Sequence, residues 1–120
     1  VWTDGGSGIV VVAKASATAC VGVDQAVMPK PGPAALATAG SGDVLAGMMA
    51  SYLAQAHGEV SDLPLLCALV CEVHGYAGTL AVEAFGTRGV MAGDLIDRIG
   101  LAADVIEEHA FVPEGADAQA

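Results

Sequence analysis

The stretch Ala39-Gly40-Ser41-Gly42-Asp43-Val44-Leu45-Ala46-Gly47 places three small residues and a carboxylate where a loop is expected to become a helix. Small residues allow backbone N–H groups to converge on an anion, and a helix N-terminus adds roughly half a positive charge in the same direction. Ser and Asp at a helix start are also what ordinary N-capping uses. The stretch therefore predicts an anion site or a plain helix cap, and phosphate chemistry is the first function to test.

The residues around these glycines exclude two common phosphate-binding loops. No Lys-Ser or Lys-Thr pair follows the glycines, so the stretch is not a Walker loop. No third glycine completes a dinucleotide-binding fingerprint. Asp43 is the carboxylate of the stretch, and at the positive end of a helix it is placed to act as a base toward a group held beside an anion.

Charge and composition exclude several classes of partner. The chain has 120 residues, which suits one domain, and a formal net charge of −10 with only four Lys and Arg residues. Such a field repels phosphate backbones, so we expect no nucleic-acid partner. No apolar run that is free of Gly and polar interruptions reaches the length needed to cross a bilayer. Three Cys without a CxxC pair favour a reducing compartment. We therefore expect a cytoplasmic protein that binds no membrane.

The first part of the chain predicts strands and an extended segment. Residues 8–14 form a continuous apolar, β-branched run that is typical of a buried strand, and residues 18–23 are expected to be its antiparallel or neighbouring partner. Three prolines within residues 26–37 argue against a helix there. We expect this segment to be an extended loop laid over the sheet, which delivers the chain to the glycines.

Helical spacing of apolar residues dominates the remainder. A helix is expected from Asp43 to a stop at Gly58, with Gly47 packed closely against a neighbouring element. Ser61 is expected to cap a second helix that runs to about Ala84. Residues 91–99 predict a short helix, followed by a break at Gly100 and a last amphipathic piece over residues 101–109.

Three potential metal ligands share one face of the second helix. Cys67, Cys71 and His74 are spaced four and three residues apart, which would place them on neighbouring turns. Their sequence neighbours are Leu and Val, and free Cys is common in apolar cores. The pattern favours core packing, with His74 a packed helix histidine, and no metal site is predicted.

Three motifs in order resemble one known family. Residues 36–47 look like the anion-hole signature of ribokinase-like enzymes, and within them like that of the NAD(P)H-hydrate dehydratase family. Val10-Val11-Val12-Ala13-Lys14 with Ala15-Ser16-Ala17-Thr18 upstream, and His74-Gly75, Phe85-Gly86-Thr87-Arg88-Gly89 and Asp94-Leu95-Ile96 downstream, resemble the same family. The resemblance covers roughly residues 9–100.

The resemblance implies an α/β fold of which this chain holds only a portion. Residues 1–112 would be the C-terminal part of a ribokinase-like three-layer α/β/α domain, and residues 113–120 a disordered tail. Ribokinase-like enzymes are typically much longer, so we expect a chain that is a fragment, inactive by itself, and that pairs with the N-terminal half or with itself as a homo-oligomer.

The same resemblance implies the reaction and the residues that perform it. The family uses ADP or ATP, which we expect to act with Mg²⁺, to restore hydrated NADH or NADPH by phosphorylating the ring hydroxyl and losing phosphate. Asp43 would bind the substrate and act as the catalytic base, and Gly40, Ser41 and Gly42 would form the anion hole. The nucleotide-binding residues would be Lys14, Ala15, Ser16, Ala17, Thr18 and Gly42. Ala15 and Ala17 stand where the family commonly has glycines, which is a departure from its pattern.

Two other functions stay open on the sequence. A small-molecule kinase of the same fold would use the same Asp43 and anion hole but release a phosphorylated product. A noncatalytic fragment, whose apolar helices serve assembly, is the second alternative.

Overall fold

The polypeptide of the computed structural model is described at residues 9–14, 17–56 and 60–111. The described part is a mixed α/β structure, as predicted. Its elements in chain order are β1 (Val11–Ala13), β2 (Ala19–Val21), β3 (Ala26–Val27), a 3₁₀ turn (Ala34–Leu36), α1 (Ser41–Gln55), α2 (Leu63–Phe85), α3 (Ala92–Ile96) and α4 (Ile99–Phe111). Predictions for Ala15, Ser16, the helix stop at Gly58 and the tail over residues 113–120 lie outside the described residues.

The three strands form one antiparallel sheet in the order β1-β2-β3. Val12 lies opposite Cys20 in the register, so both side chains share the inner face of the sheet. The prediction that these two strands are partners is confirmed, and of the two arrangements left open the structure has the antiparallel one. The prediction of a buried first strand is wrong, because among the described residues β1 pairs only with β2, and Val11, which alternates to the other face, is 45% exposed.

The proline-rich segment first supplies β3 to the sheet and then crosses α2, whereas the sequence predicted a loop laid over the sheet. Its Gly32 lies against Gly75 of α2, where a Cβ on Gly32 would come within 2.8 Å of the Gly75 Cα. Leu36 and Pro33 lie against Gly78 in the same way. Glycines on both sides let the backbone of the segment approach the helix closely. The segment also contains β3 and the 3₁₀ turn, although an extended loop without either element was expected from its prolines.

The helices follow the predicted order with shifted ends. Asp62, and not Ser61, caps α2, because its carboxylate accepts a hydrogen bond from the Leu65 amide at 3.1 Å. Gly100 lies inside α4, so the predicted break there is wrong; the chain turns instead between α3 and α4. Gly47 is exposed and a Cβ on it would meet nothing within 4 Å, so its predicted close packing is also wrong.

The long helix α2 forms the centre of the hydrophobic core. Its buried residues Val70, Val73 and Ala77 pack with Leu45 and Met48 of α1 and with residues of β2 and α4. By length and by a mean hydropathy of 1.6, α2 could also cross a membrane. As the sequence predicts for any run of this length, it is interrupted by Gly and polar residues, among them Glu72, His74 and Gly75. In the structure, 56% of that stretch is buried inside the protein.

Candidate active site

The helix α1 begins at a glycine whose backbone conformation other residues rarely adopt. Gly40 is the N-cap residue with φ of 89°, in the left-handed region. A Cβ at this position would also come within 3.0 Å of the Ala92 Cβ of α3. Both the backbone angle and the small space therefore favour glycine at the entrance to α1.

Within the part of the chain that the structure describes, the first turn of α1 leaves backbone donors without a partner. The Ser41 amide donates to the Thr38 carbonyl at 3.2 Å, and the Val44 amide donates to the Gly40 carbonyl at 3.1 Å. No side chain caps this helix, and within the described residues the amides of Gly42 and Asp43 have no acceptor. Two N–H groups at the positive end of a 15-residue helix are thus available to an anion.

Asp43 is exposed at the third position of this helix. It lines a pocket of about 660 Å³ between α1 and α4, whose other lining residues include Gly47, Tyr52 and Glu107. Across this pocket the Tyr52 hydroxyl donates to the Glu107 carboxylate at 2.6 Å. The Asp43 carboxylate is therefore reachable from solvent and lies next to the unpartnered amides of the first turn.

A second pocket, of about 640 Å³, gathers part of the predicted nucleotide site. Lys14 and Thr18 line it, as do the proline-rich segment and His74. Lys30 lines it too. No sequence pattern predicts this second lysine, because its approach to Lys14 depends on how the proline-rich segment crosses α2. Two lysines on one pocket favour an anionic ligand.

The structure does not bring all the predicted site residues into one cavity. Asp43 lines the pocket beside α4, whereas Lys14 and Thr18 line the pocket beside the proline-rich segment. Ala17 is exposed and Gly42 is exposed, but neither lines the second pocket. Ala15 and Ser16 lie outside the described residues.

His74 connects the second pocket to the glycine stretch. It lines that pocket, is 3% exposed, and its Nε2 lies 3.0 Å from the Ser41 carbonyl oxygen and 3.2 Å from the Ser41 Oγ. A carbonyl oxygen has no proton, so Nε2 donates to it. Burial lowers the pKa of His74, the bond to the Ser41 backbone raises it, and Lys14 lowers it further. The burial of His74 confirms the prediction of a packed helix histidine, whereas the sequence did not predict its bond to Ser41.

The three cysteines belong to the core. Cys20, Cys67 and Cys71 are buried, and the Sγ atoms of Cys20 and Cys71 lie 4.0 Å apart. Burial raises the pKa of the Cys71 thiol to about 12, and burial also raises the pKa values of Cys20 and Cys67. These thiols therefore stay protonated at neutral pH, which confirms the core interpretation of the Cys67 and Cys71 face. Across residues 9–14, 17–56 and 60–111 there is no group of three potential metal ligands.

Comparison with known proteins identifies relatives over most of the chain. The NAD(P)H-hydrate dehydratase family model matches residues 2–100. The bifunctional NAD(P)H-hydrate repair enzyme of Moorella thermoacetica is 36% identical over 101 residues, which cover 83% of this chain and 18% of that protein. The corresponding enzyme of Dictyoglomus turgidum is 41% identical over 71 residues, covering 59% of this chain and 13% of that protein.

A third relative, the bifunctional NAD(P)H-hydrate repair enzyme of Escherichia coli, is 38% identical over 68 residues, covering 57% of this chain and 12% of that protein. The chain thus spans between 12% and 18% of the length of these curated relatives. No solved structure matches the chain.

Proposed function

The chain belongs to the NAD(P)H-hydrate dehydratase family, and on that premise we propose that it carries part of an active site that restores hydrated NADH or NADPH with ADP or ATP. Its relatives are named as NAD(P)H-hydrate repair enzymes. We further propose that residues 1–112 form the C-terminal portion of a ribokinase-like three-layer domain. Since the relatives are several times longer, other parts of the enzyme would supply most contacts to the damaged nicotinamide.

One observation carries the proposal: the first turn of α1 presents the amides of Gly42 and Asp43, which have no acceptor among the described residues, beside the exposed Asp43 carboxylate. Phosphoryl transfer depends on donors that face the charge on the moving phosphoryl group and on a base that takes the proton of the acceptor hydroxyl. The turn offers both within consecutive residues. In a plain helix cap, the side chain of the N-cap residue would accept a hydrogen bond from one of these amides.

The proposed reaction has two steps, a phosphoryl transfer and an elimination of phosphate. The ring hydroxyl oxygen attacks the terminal phosphorus of the nucleotide, its proton passes to Asp43, and the bond from that phosphorus to the leaving nucleotide breaks. In the second step, phosphate leaves with the electron pair of its C–O bond, a proton from the adjacent ring carbon passes to water, and the electron pair of that C–H bond forms the ring double bond. The Gly42 and Asp43 amides would hold the equatorial oxygens of the phosphoryl group during the first step.

The pocket lined by Lys14, Thr18 and Lys30 is the proposed nucleotide site. Its lysines complement the charge of a nucleotide in a chain whose net charge is −10. Mg²⁺ would be held mainly by the nucleotide phosphates and water, since the described residues offer no carboxylate cluster for it. When bound, it would neutralise charge on those phosphates.

The test is recovery of NADH absorbance from hydrated NADH by the protein expressed from its complete reading frame, with ADP or ATP and Mg²⁺. We expect NADH and inorganic phosphate to appear in equal amounts, with nucleotide consumed in step. Accumulation of a stable phosphorylated small molecule would instead identify a ribokinase-like kinase. No nucleotide consumption at all would favour a noncatalytic assembly role.

A further inference from the structure

The peptide unit between Ser41 and Gly42 is held from inside the protein by His74. The Nε2–H of His74 donates to the Ser41 carbonyl oxygen at 3.0 Å, and this contact is buried. The Ser41 carbonyl and the Gly42 amide belong to one planar peptide unit and point in opposite directions. A bond that fixes the carbonyl therefore also fixes the direction of the Gly42 N–H.

Little else on the outer side restrains this unit. Gly42 is exposed, and a Cβ on it would meet nothing within 4 Å. The preceding residue, Gly40, has the left-handed φ of 89° that glycine alone adopts easily. Between two flexible glycines, Ser41 is 1% exposed and its Oγ also lies 3.2 Å from His74 Nε2. Because Ser41 is the first residue of α1, its carbonyl also belongs to the hydrogen-bond ladder of the helix, and His74 holds the same carbonyl from inside the protein.

The same bond also strengthens the Gly42 amide as a donor. A carbonyl that accepts a hydrogen bond draws electron density from its own peptide unit, so the N–H at the other end becomes more positive. The effect is larger in a buried, low-dielectric setting than in water. His74 stays neutral there, because burial and nearby Lys14 oppose its charged form.

We propose that His74 is a positioning residue of the anion site: through its bond to the Ser41 carbonyl it aims the Gly42 N–H at the bound phosphoryl group. The inference rests on the proposed function, because that function places the phosphoryl group at the first turn of α1. His74 does not touch the reacting atoms. It acts through the Ser41–Gly42 peptide unit.

The test compares His74→Leu with His74→Gln in the protein expressed from its complete reading frame. Gln carries an N–H donor at nearly the reach of the histidine Nε2, whereas Leu fills similar space without a donor. We expect His74→Leu to lower kcat roughly 10- to 100-fold, less than the 100- to 1,000-fold typical when a donor is removed outright, with KM for nucleotide nearly unchanged. His74→Gln should regain most of that loss.

A second readout does not depend on turnover. In protein labelled with isotopes at glycine, the Gly42 amide resonance of the wild type should shift on titration with inorganic phosphate. His74→Leu should need at least about tenfold more phosphate for the same shift, because its Gly42 N–H no longer points at the phosphate. The control is Cys67→Ala, which removes a buried thiol two turns earlier on α2. It should leave both kcat and the phosphate titration of the Gly42 amide unchanged.

The two proposals fail in different ways. If the wild type has no repair activity but its Gly42 amide responds to phosphate in a His74-dependent manner, the proposed function is wrong and the positioning role stands. If the Gly42 amide does not respond in the wild type, or responds equally in His74→Leu with kcat preserved, the positioning role is wrong. Should His74→Leu not fold, His74→Asn, whose amide is too short to reach Ser41, takes its place against His74→Gln, and equal behaviour of that pair overturns the inference.

Discussion

Gly32 and Gly75 lie directly against each other where the proline-rich segment crosses α2. A Cβ on Gly32 would come within 2.8 Å of the Gly75 Cα and within 2.5 Å of the Leu36 Cδ1. The Leu36 side chain can shift away from such a contact, but the Gly75 backbone cannot. This crossing holds the segment that carries Lys30 in the wall of the proposed nucleotide pocket.

Gly32→Ala is therefore expected to destabilise the protein by about 1–3 kcal/mol, the usual cost of overpacking. The control is Gly47→Ala, because Gly47 lies in a helix interior with open space around it. That change should stabilise the protein by roughly 0.5–1 kcal/mol, since Ala restricts the unfolded chain and favours helix. Urea unfolding of both variants measures the difference. Equal free energies of unfolding for the two would show that the crossing is not close-packed.

Acid should weaken the fold through His74. Its pKa in the folded state is lowered from 6.5, mainly by burial, so the unfolded chain binds the proton more readily than the folded one. The stability that neutral His74 contributes is present above pH 6.5 and is lost as pH falls from 6.5 toward the lowered pKa.

The measurement is the free energy of unfolding of the wild type and of His74→Gln at several pH values. The wild type should lose stability below pH 6.5 more steeply than the variant, which cannot titrate at this position. Parallel curves for the two proteins would contradict the burial of a neutral imidazole against Ser41.

The sequence predicts the helices of this protein better than it predicts the tertiary contacts between them. Apolar spacing with Gly and Pro boundaries predicted α1 and α2, because these are local properties of consecutive residues. The two residues of β3 are too few to show a strand pattern. The approach of Gly32 to Gly75 and the bond from His74 to Ser41 join residues more than thirty positions apart, and no local pattern encodes them.

The same distinction applies to the candidate site. The glycine stretch and Asp43 are consecutive, so their place at the start of α1 followed from the sequence. The association of Lys14 with Lys30 follows only from the tertiary path of the proline-rich segment. Which amides of the first turn stay unpartnered depends on the Thr38 carbonyl, which takes the Ser41 amide.

Nucleotide affinity should depend on Lys14. Lys14→Ala is expected to weaken ADP binding roughly tenfold, because a charge-assisted contact to a phosphate or ribose group is lost, while stability changes little. Arg88→Ala removes the same charge from an exposed turn outside the pocket and is the matched control. Calorimetric titration with ADP measures both. Unchanged ADP affinity in Lys14→Ala would show that Lys14 does not contact the nucleotide and is only the residue that follows β1.

The most direct test of the proposed mechanism is the turnover of Asp43→Asn in the protein expressed from its complete reading frame. Asn keeps the shape of Asp43 but cannot accept the hydroxyl proton, so NADH recovery from its hydrate should fall at least about 100-fold while the free energy of unfolding changes by less than about 0.5 kcal/mol. Asp104→Asn, the same change at an exposed position of α4, should keep wild-type turnover. Near-native turnover by Asp43→Asn would contradict the assignment of Asp43 as the base.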